Sequence, residues 1–221
     1  MFVQIFPLFG ILGTLIIMLG IVSSALRYQG KQGERFSLLN HFISELGEVG
    51  VSPSASLFNL GMILGGLTLL PYMIGLGFRF ARLAGWLGSA TGAVAVLAVA
   101  AVGIFPVNNL TAHIRAAMTY FRTGLVMVIF YALAILFQPA GHEPIPQAAN
   151  VLSLLAFIPY AAFLFLSGRR YDQNQDEALD PQVESERPRI SLMPVLEWAV
   201  FFTTILWLLG MALFIQNVSP L

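Results

Sequence analysis

Six long runs of apolar residues alternate with short polar stretches along the 221-residue chain. Each run holds close to the ~20 residues that an α-helix needs to cross the hydrocarbon core of a bilayer. The pattern therefore predicts an all-α fold, a polytopic bundle of six transmembrane helices in a single domain. The predicted spans cover about residues 5–26, 57–77, 83–105, 112–138, 148–167 and 191–215.

The predicted loop between the first two helices also carries a helical pattern. Apolar residues recur along it at intervals of three and four positions, at Leu38, Leu39, Phe42, Ile43 and Leu46. On a loop between membrane spans, this spacing is typical of a short amphipathic helix at the interface. We predict that residues 36–51 form a short helix or an ordered loop over the polar end of the bundle.

The stretch between the fifth and sixth predicted helices, residues 169–190, is the most polar part of the chain. Its carboxylates are Asp172, Asp176, Glu177, Asp180, Glu184 and Glu186. A segment of this composition buries too little apolar surface to offset the entropy of ordering it. The sequence therefore predicts a mobile linker here.

Small residues indicate where helices pack closely. Gly61 and Gly65 form a GxxxG pair in the second predicted helix, with Gly66 adjacent, and Gly88 and Gly92 form a similar pair in the third. Small residues let helix backbones approach each other in a membrane. The alternative is that lipid simply tolerates these glycines.

Composition agrees with a membrane protein and excludes several classes of function. Hydrophobic residues make up 57% of the chain and charged residues only 10%, against roughly 25% charged in soluble domains. The formal net charge is zero, so there is no electrostatic reason to expect a nucleic-acid partner. The chain has no cysteine, which excludes disulfides, thiol catalysis and thiolate metal sites.

Basic residues are distributed unevenly between the two predicted faces. Six spans place the N and C termini of the chain on one side and the odd-numbered loops on the other side, here called the loop-rich face. The basic residues assigned to the loop-rich face are Arg27, Lys31, Arg35, Arg115, Arg122, Arg169, Arg170, Arg187 and Arg189. By the positive-inside rule this face is cytoplasmic, in a multi-pass protein of the cell membrane. The first run lacks a basic start, so we interpret it as a retained span, with cleavage after residue 25 as the alternative.

Polar side chains concentrate toward the loop-rich face. The candidate ligand-binding residues are Ser44, Glu45, Asn59, His113, Arg115, Arg122 and Glu197. They come from the first loop and from the second, fourth and sixth predicted helices. Polar groups within membrane segments usually mark functional sites. The sequence therefore predicts one polar site at this end of the bundle.

His113 and Glu45 are the candidate catalytic residues in this set. The first loop leads into the second helix and Pro106 breaks the end of the third, so both groups reach the same depth. We predict that they approach each other, directly or through one water, at a cavity with Asn59 nearby. The alternative is that His113 caps its own helix and faces lipid headgroups.

The two arginines of the fourth helix require a separate interpretation. Arg115 and Arg122 fall on a helical stripe nearly opposite to that of His113. Arg122 lies roughly 15 Å along the axis from Ala112. Either it pairs with a carboxylate of Glu45, Glu48 or Glu197, or its side chain snorkels to the interface.

Metal and cofactor sites find little support in the residue inventory. The three histidines, His41, His113 and His142, include no pair four residues apart. A zinc hydrolase usually takes three protein ligands and often a histidine pair on one helical turn. We expect no metal and no cofactor, with a zinc site from His41, His113 and Glu45 as the alternative.

Several blocks resemble a family of prokaryotic membrane proteins. The blocks are ISELG at 43–47, FNLG at 58–61, GIFP at 103–106 and the following His113 with Ala116, Ala117 and Phe121. The pattern is similar to that of domain-of-unknown-function family 998. The resemblance implies a six-helix integral membrane protein without an established activity. It also implies a shared polar set of Ser44, Glu45, Asn59, Pro106 and His113.

Three functions follow as hypotheses. The first is binding of a membrane lipid, a small amphiphile or a partner membrane subunit at the polar end of the bundle. The second is a membrane-embedded hydrolase that acts on a lipid, with His113 as general base and Glu45 as its orienting residue. The third is a small transporter, although the far half of the predicted bundle offers no polar path.

Overall fold

The computed structural model describes residues 2–139, 145–177 and 188–217. Within these ranges the chain is helical and contains no strand. The long helices are α1 Phe2–Ala25, α2 Ala55–Phe80, α3 Leu83–Ile104, α4 Leu110–Leu136, α5 Asn150–Glu177 and α6 Leu192–Asn217. All six are long and apolar enough to cross a membrane. The predicted all-α bundle of six spans is confirmed.

The helices alternate in direction around a closed ring. Each helix packs against its neighbours in the chain, and α1 also contacts α6. Phe6, near the start of α1, packs against Gly75, near the end of α2, while Gly210 of α6 contacts Leu152 at the start of α5. The start of α1 and the end of α6 therefore lie at the same end of the bundle, away from the first loop.

Glycines bring α2 close to both of its neighbours. Gly61 faces α1, where a Cβ atom added to it would lie 3.0 Å from the Cα atom of Gly20. Gly66 faces α3, where such an atom would lie 2.6 Å from the carbonyl oxygen of Val96. The glycines predicted to support close packing therefore sit at helix–helix contacts, as expected for association driven by van der Waals packing in lipid.

The fifth helix continues beyond its membrane-length part. Its apolar portion ends at Gly168, close to the predicted end of the span, but helical backbone extends to Glu177. The sequence from residue 169 to residue 180 contains no proline, so nothing in this polar stretch forces the helix to stop. The predicted linker therefore begins as helix, and its residues 178–187 lie outside the described ranges, as does His142.

Candidate ligand cavity

The first loop folds over one end of the bundle, and its residues 36–51 are here called the cap. The cap contains a 3-10 helix, Ile43–Gly47, that contacts α1, α2 and α6. Ile43 and Leu46 are buried, whereas Leu38 and Leu39 are 46% and 50% exposed. The prediction of an ordered cap is confirmed, but its helix is shorter than the apolar pattern indicated and includes neither Leu38 nor Leu39.

Three hydrogen bonds hold the cap to α2 and α6. The Ile43 N–H donates to Glu197 Oε2 of α6 at 2.7 Å, and Trp198 Nε1 donates to the His41 carbonyl at 3.1 Å. Asn59 Nδ2 of α2 donates to the Gly47 carbonyl at 3.1 Å. Each bond satisfies a backbone group of the cap with a side chain from a long helix, so the cap is attached to the bundle at several points.

Asn108 attaches the cap to the turn between α3 and α4. Its side-chain Oδ1 accepts from the Val49 N–H at 2.8 Å, and its Nδ2 donates to the Val49 carbonyl at 2.9 Å. The paired amide contact has no signature in sequence, because its partner is backbone 59 residues away.

His113 has a defined orientation at the end of α3. Proline at position 106 ends that helix, and the freed carbonyl of Phe105 accepts a hydrogen bond from His113 Nδ1 at 2.8 Å. A carbonyl only accepts, so Nδ1 carries the proton and Nε2 of a neutral ring presents a lone pair. Nε2 makes no hydrogen bond within the described residues, so it remains able to bind a ligand group or accept a proton.

Glu45 accepts a hydrogen bond within the cap. Its Oε1 atom accepts from the Phe42 N–H at 2.8 Å, three residues earlier, so the carboxylate caps the 3-10 helix. Ser44, its neighbour, and His113 line a cavity inside the bundle, here called the central cavity. The direct pairing of His113 and Glu45 remains a prediction.

A double-mutant cycle tests that pairing. If the two side chains interact, the double variant His113→Ala with Glu45→Ala should lose less stability than the sum of the losses in the two single variants. The difference, the coupling free energy, should exceed roughly 0.5 kcal/mol. Thermal unfolding followed by tryptophan fluorescence gives the three differences. Additive effects would show that the two side chains do not interact. His113 would then act through its hydrogen bond to the Phe105 carbonyl, and Glu45 through its bond from the Phe42 N–H.

The central cavity lies beneath the cap. It has a volume of about 90 Å³ and is lined by residues from all six helices. Its end under the cap carries Ser44, His113 and Glu197, while Tyr120, Tyr160 and Thr204 lie nearer the middle of the bundle. The far end is formed by apolar side chains such as Leu69, Met73 and Leu208. Along α6, Glu197 and Leu208 are separated by roughly 16 Å. The few polar groups of the cavity thus lie toward the cap, among apolar side chains such as Ile21, Ile43 and Phe58, and its lining toward the middle of the bundle is apolar.

The polar groups of the cavity are only partly used by the protein. Thr204 Oγ1 donates to the Tyr160 hydroxyl at 3.1 Å, and Glu197 Oε2 holds the Ile43 N–H. Glu197 Oε1 and His113 Nε2 make no hydrogen bond to the part of the chain that is described. A space of this volume exceeds what one water needs, so a small polar head or several waters would fit beside these atoms.

Arg115 and Arg122 lie outside the cavity. Both are exposed on the outer surface of α4, while His113 is 6% exposed and faces inward. The opposite stripes predicted for these residues are confirmed. Neither guanidinium forms an ion pair with a described carboxylate, and Glu48 pairs instead with Lys31 at 3.0 Å. The seven candidates therefore divide into cavity residues, residues that stabilise the cap and two outer arginines.

The histidine of the cap, His41, belongs to an aromatic cluster. His41 is buried among Tyr28, Phe36 and Trp198, and its Nδ1 accepts from the Ser37 N–H at 3.2 Å. Across residues 2–139, 145–177 and 188–217, no group of three metal-ligating side chains is placed to hold an ion.

Fold and cavity together define a six-helix membrane bundle with a capped, amphipathic cavity. The chain belongs to the family described as Protein of unknown function (DUF998), whose family model matches residues 11–214. This match confirms the resemblance found in the sequence blocks. No curated protein and no solved structure matches the chain significantly.

Proposed function

We propose that this protein binds a single-chain amphiphile of the cell membrane in its central cavity. The observation that supports the proposal is the change in the cavity lining, from Ser44, His113 and Glu197 under the cap to Met73 and Leu208 toward the middle. A polar head under the cap would meet the unused acceptors, and the first part of an alkyl chain would meet hydrocarbon. Because the cavity of about 90 Å³ is smaller than the ~300–1,000 Å³ of pockets that enclose drug-sized ligands, the rest of the chain would have to extend between the helices into the bilayer. Both parts of such a ligand would be desolvated at little cost.

The lining also favours a type of head group. The cavity contains a carboxyl group and a histidine but no lysine or arginine. Glu197 Oε1 and His113 Nε2 accept hydrogen bonds, and a hydroxyl or amide head would supply the donors. An anionic head would instead be buried in a cavity whose lining offers no lysine or arginine to offset its charge. We therefore propose a neutral head that carries hydrogen-bond donors.

A thermal-shift experiment tests the choice of head. We expect 1-monooleoylglycerol to raise the unfolding midpoint of the purified protein, because a ligand that binds the folded state stabilises it. The lysophosphatidic acid with the same acyl chain should raise the midpoint less. An equal or larger shift with the anionic lipid would contradict the proposed head group.

A cavity-filling variant tests the location. Ala95 of α3 lines the cavity, so Ala95→Phe should abolish the shift with 1-monooleoylglycerol. Val151→Phe adds an aromatic ring on the exposed surface of α5 and should leave the shift unchanged. Equal shifts in both variants would place binding outside the cavity and end the proposal.

A hydrolase remains the second candidate because Ser44 and His113 line the same cavity. In that case His113 Nε2 would accept the proton of the Ser44 hydroxyl as it attacks an ester. A fluorophosphonate probe with a long alkyl chain should then label the protein, and Ser44→Ala should lose the label. Absence of labelling together with the lipid-induced stabilisation would favour simple binding.

A further inference from the structure

A second space lies on the outer surface of the bundle, between α3 and α4. It is a groove of about 450 Å³ with alanines of both helices along it, Ala98, Ala101, Ala112 and Ala116. Leu97 and Arg115 border the same groove. From Val94 to Phe105 the groove follows α3 for roughly 16 Å. It is separate from the central cavity, with which it shares no lining residue.

The charge beside this groove is unusual for a lipid-facing surface. Arg115 and Arg122 are exposed on the same side of α4, and seven residues place them roughly 10 Å apart along the axis. Neither guanidinium has a hydrogen bond or an ion pair within the described ranges. Charged groups in membrane spans are costly unless they find a partner or reach the interface. Two such groups on one stripe therefore need water or an anion from outside the described part of the chain.

The position of Arg115 fits the headgroup level of a bilayer. It lies in the second turn of α4. The hydrogen bond from His113 to the Phe105 carbonyl shows that this part of α4 lies beside the end of α3. Arg122 lies deeper, and its long side chain can extend toward the same interface. The positive end of the α4 dipole lies nearby. The local field is therefore favourable to an anion at the upper end of the groove.

We propose that this groove binds an anionic phospholipid from the leaflet at the cap end of the bundle. The phosphate accepts hydrogen bonds from Arg115 and Arg122, and one acyl chain lies along the alanines. Guanidinium groups bind phosphate oxygens through paired, charge-assisted hydrogen bonds. The small side chains leave the width that a single chain requires, and Leu97 contacts it from the side. This site is independent of the ligand proposed for the central cavity.

Native mass spectrometry of the purified protein tests the site with two probes, dioleoylphosphatidylglycerol and dioleoylphosphatidylcholine. We expect the anionic lipid to bind preferentially. Loss of a charge-assisted hydrogen bond weakens binding by roughly tenfold or more, so Arg115→Gln with Arg122→Gln should remove the preference. Arg115→Lys should retain part of it.

Two further variants separate this site from general attraction of anions. Arg27→Gln removes an exposed positive charge at the cap end of α1 and should keep the preference for phosphatidylglycerol. Ala101→Phe fills the groove without changing charge and should lose it. Equal binding of both lipids by the unaltered protein would overturn the proposal. So would a loss of the preference for phosphatidylglycerol in Arg27→Gln as large as that in the variant without Arg115 and Arg122. A dimer that the arginine substitutions dissociate would also overturn it, since the occupant would then be a second copy.

Discussion

Gly66→Ala should destabilise the bundle by about 1–3 kcal/mol, the range for overpacking a well-packed core. The added Cβ atom would lie 2.6 Å from the Val96 carbonyl oxygen and 2.8 Å from the Ala100 backbone nitrogen. Both neighbours are backbone atoms of α3, so no side-chain rotation relieves the contact and the two helices must move apart. A lower thermal midpoint, followed by tryptophan fluorescence, measures the effect.

Gly168→Ala is the matched control because it makes the same chemical change in another helix. A Cβ atom at Gly168 would have no neighbour within 4 Å, so its stability should change by less than about 0.5 kcal/mol. Any gain in helix propensity is common to both substitutions. Equal midpoints for the two variants would mean that α2 and α3 do not approach as closely as the structure places them.

The six helices could be predicted from sequence because the information is local. A span needs about 20 apolar residues, and lipid requires each backbone group to be paired within the segment. The broken end of α3 followed from Pro106 in the same way. The extension of α5 to Glu177 was not predicted, because polar residues end the membrane-spanning part of a helix without ending the helix.

The candidate site was only partly predictable, because its partners are distant in sequence. Helical spacing placed His113 and the two arginines on opposite stripes of α4, but it did not show that the arginines lie outside the cavity. The partner of Glu197, however, is the backbone N–H of Ile43, 154 residues away. Tyr160 and Thr204 were not identified, since their approach depends on how α5 and α6 rotate against each other. Those rotations are set by packing, and no periodicity in the sequence encodes them.

Glu197→Ala should loosen the cap with a local cost of about 1–3 kcal/mol, the penalty for leaving a buried donor without a partner. Ile43 is buried, and its N–H donates to Glu197 Oε2 at 2.7 Å. The bonds from Trp198, Asn59 and Asn108 remain, so the cap should open without unfolding the bundle. Faster hydrogen–deuterium exchange in residues 36–51, with little change in the rest of α2 and α6, measures this opening.

Two controls separate the hydrogen bond from the charge. Glu197→Gln keeps an acceptor oxygen for the Ile43 N–H, so it should retain most of the protection against exchange. Glu48→Ala removes a carboxylate of the same cap whose partner Lys31 is 71% exposed, and such pairs contribute at most about 1 kcal/mol. If Glu197→Gln loosens the cap as much as Glu197→Ala, the charge of Glu197 holds the cap and the bond to Ile43 does not. If Glu48→Ala has the largest effect, the cap is fixed by the contact between Lys31 and Glu48, and the bond from α6 is secondary.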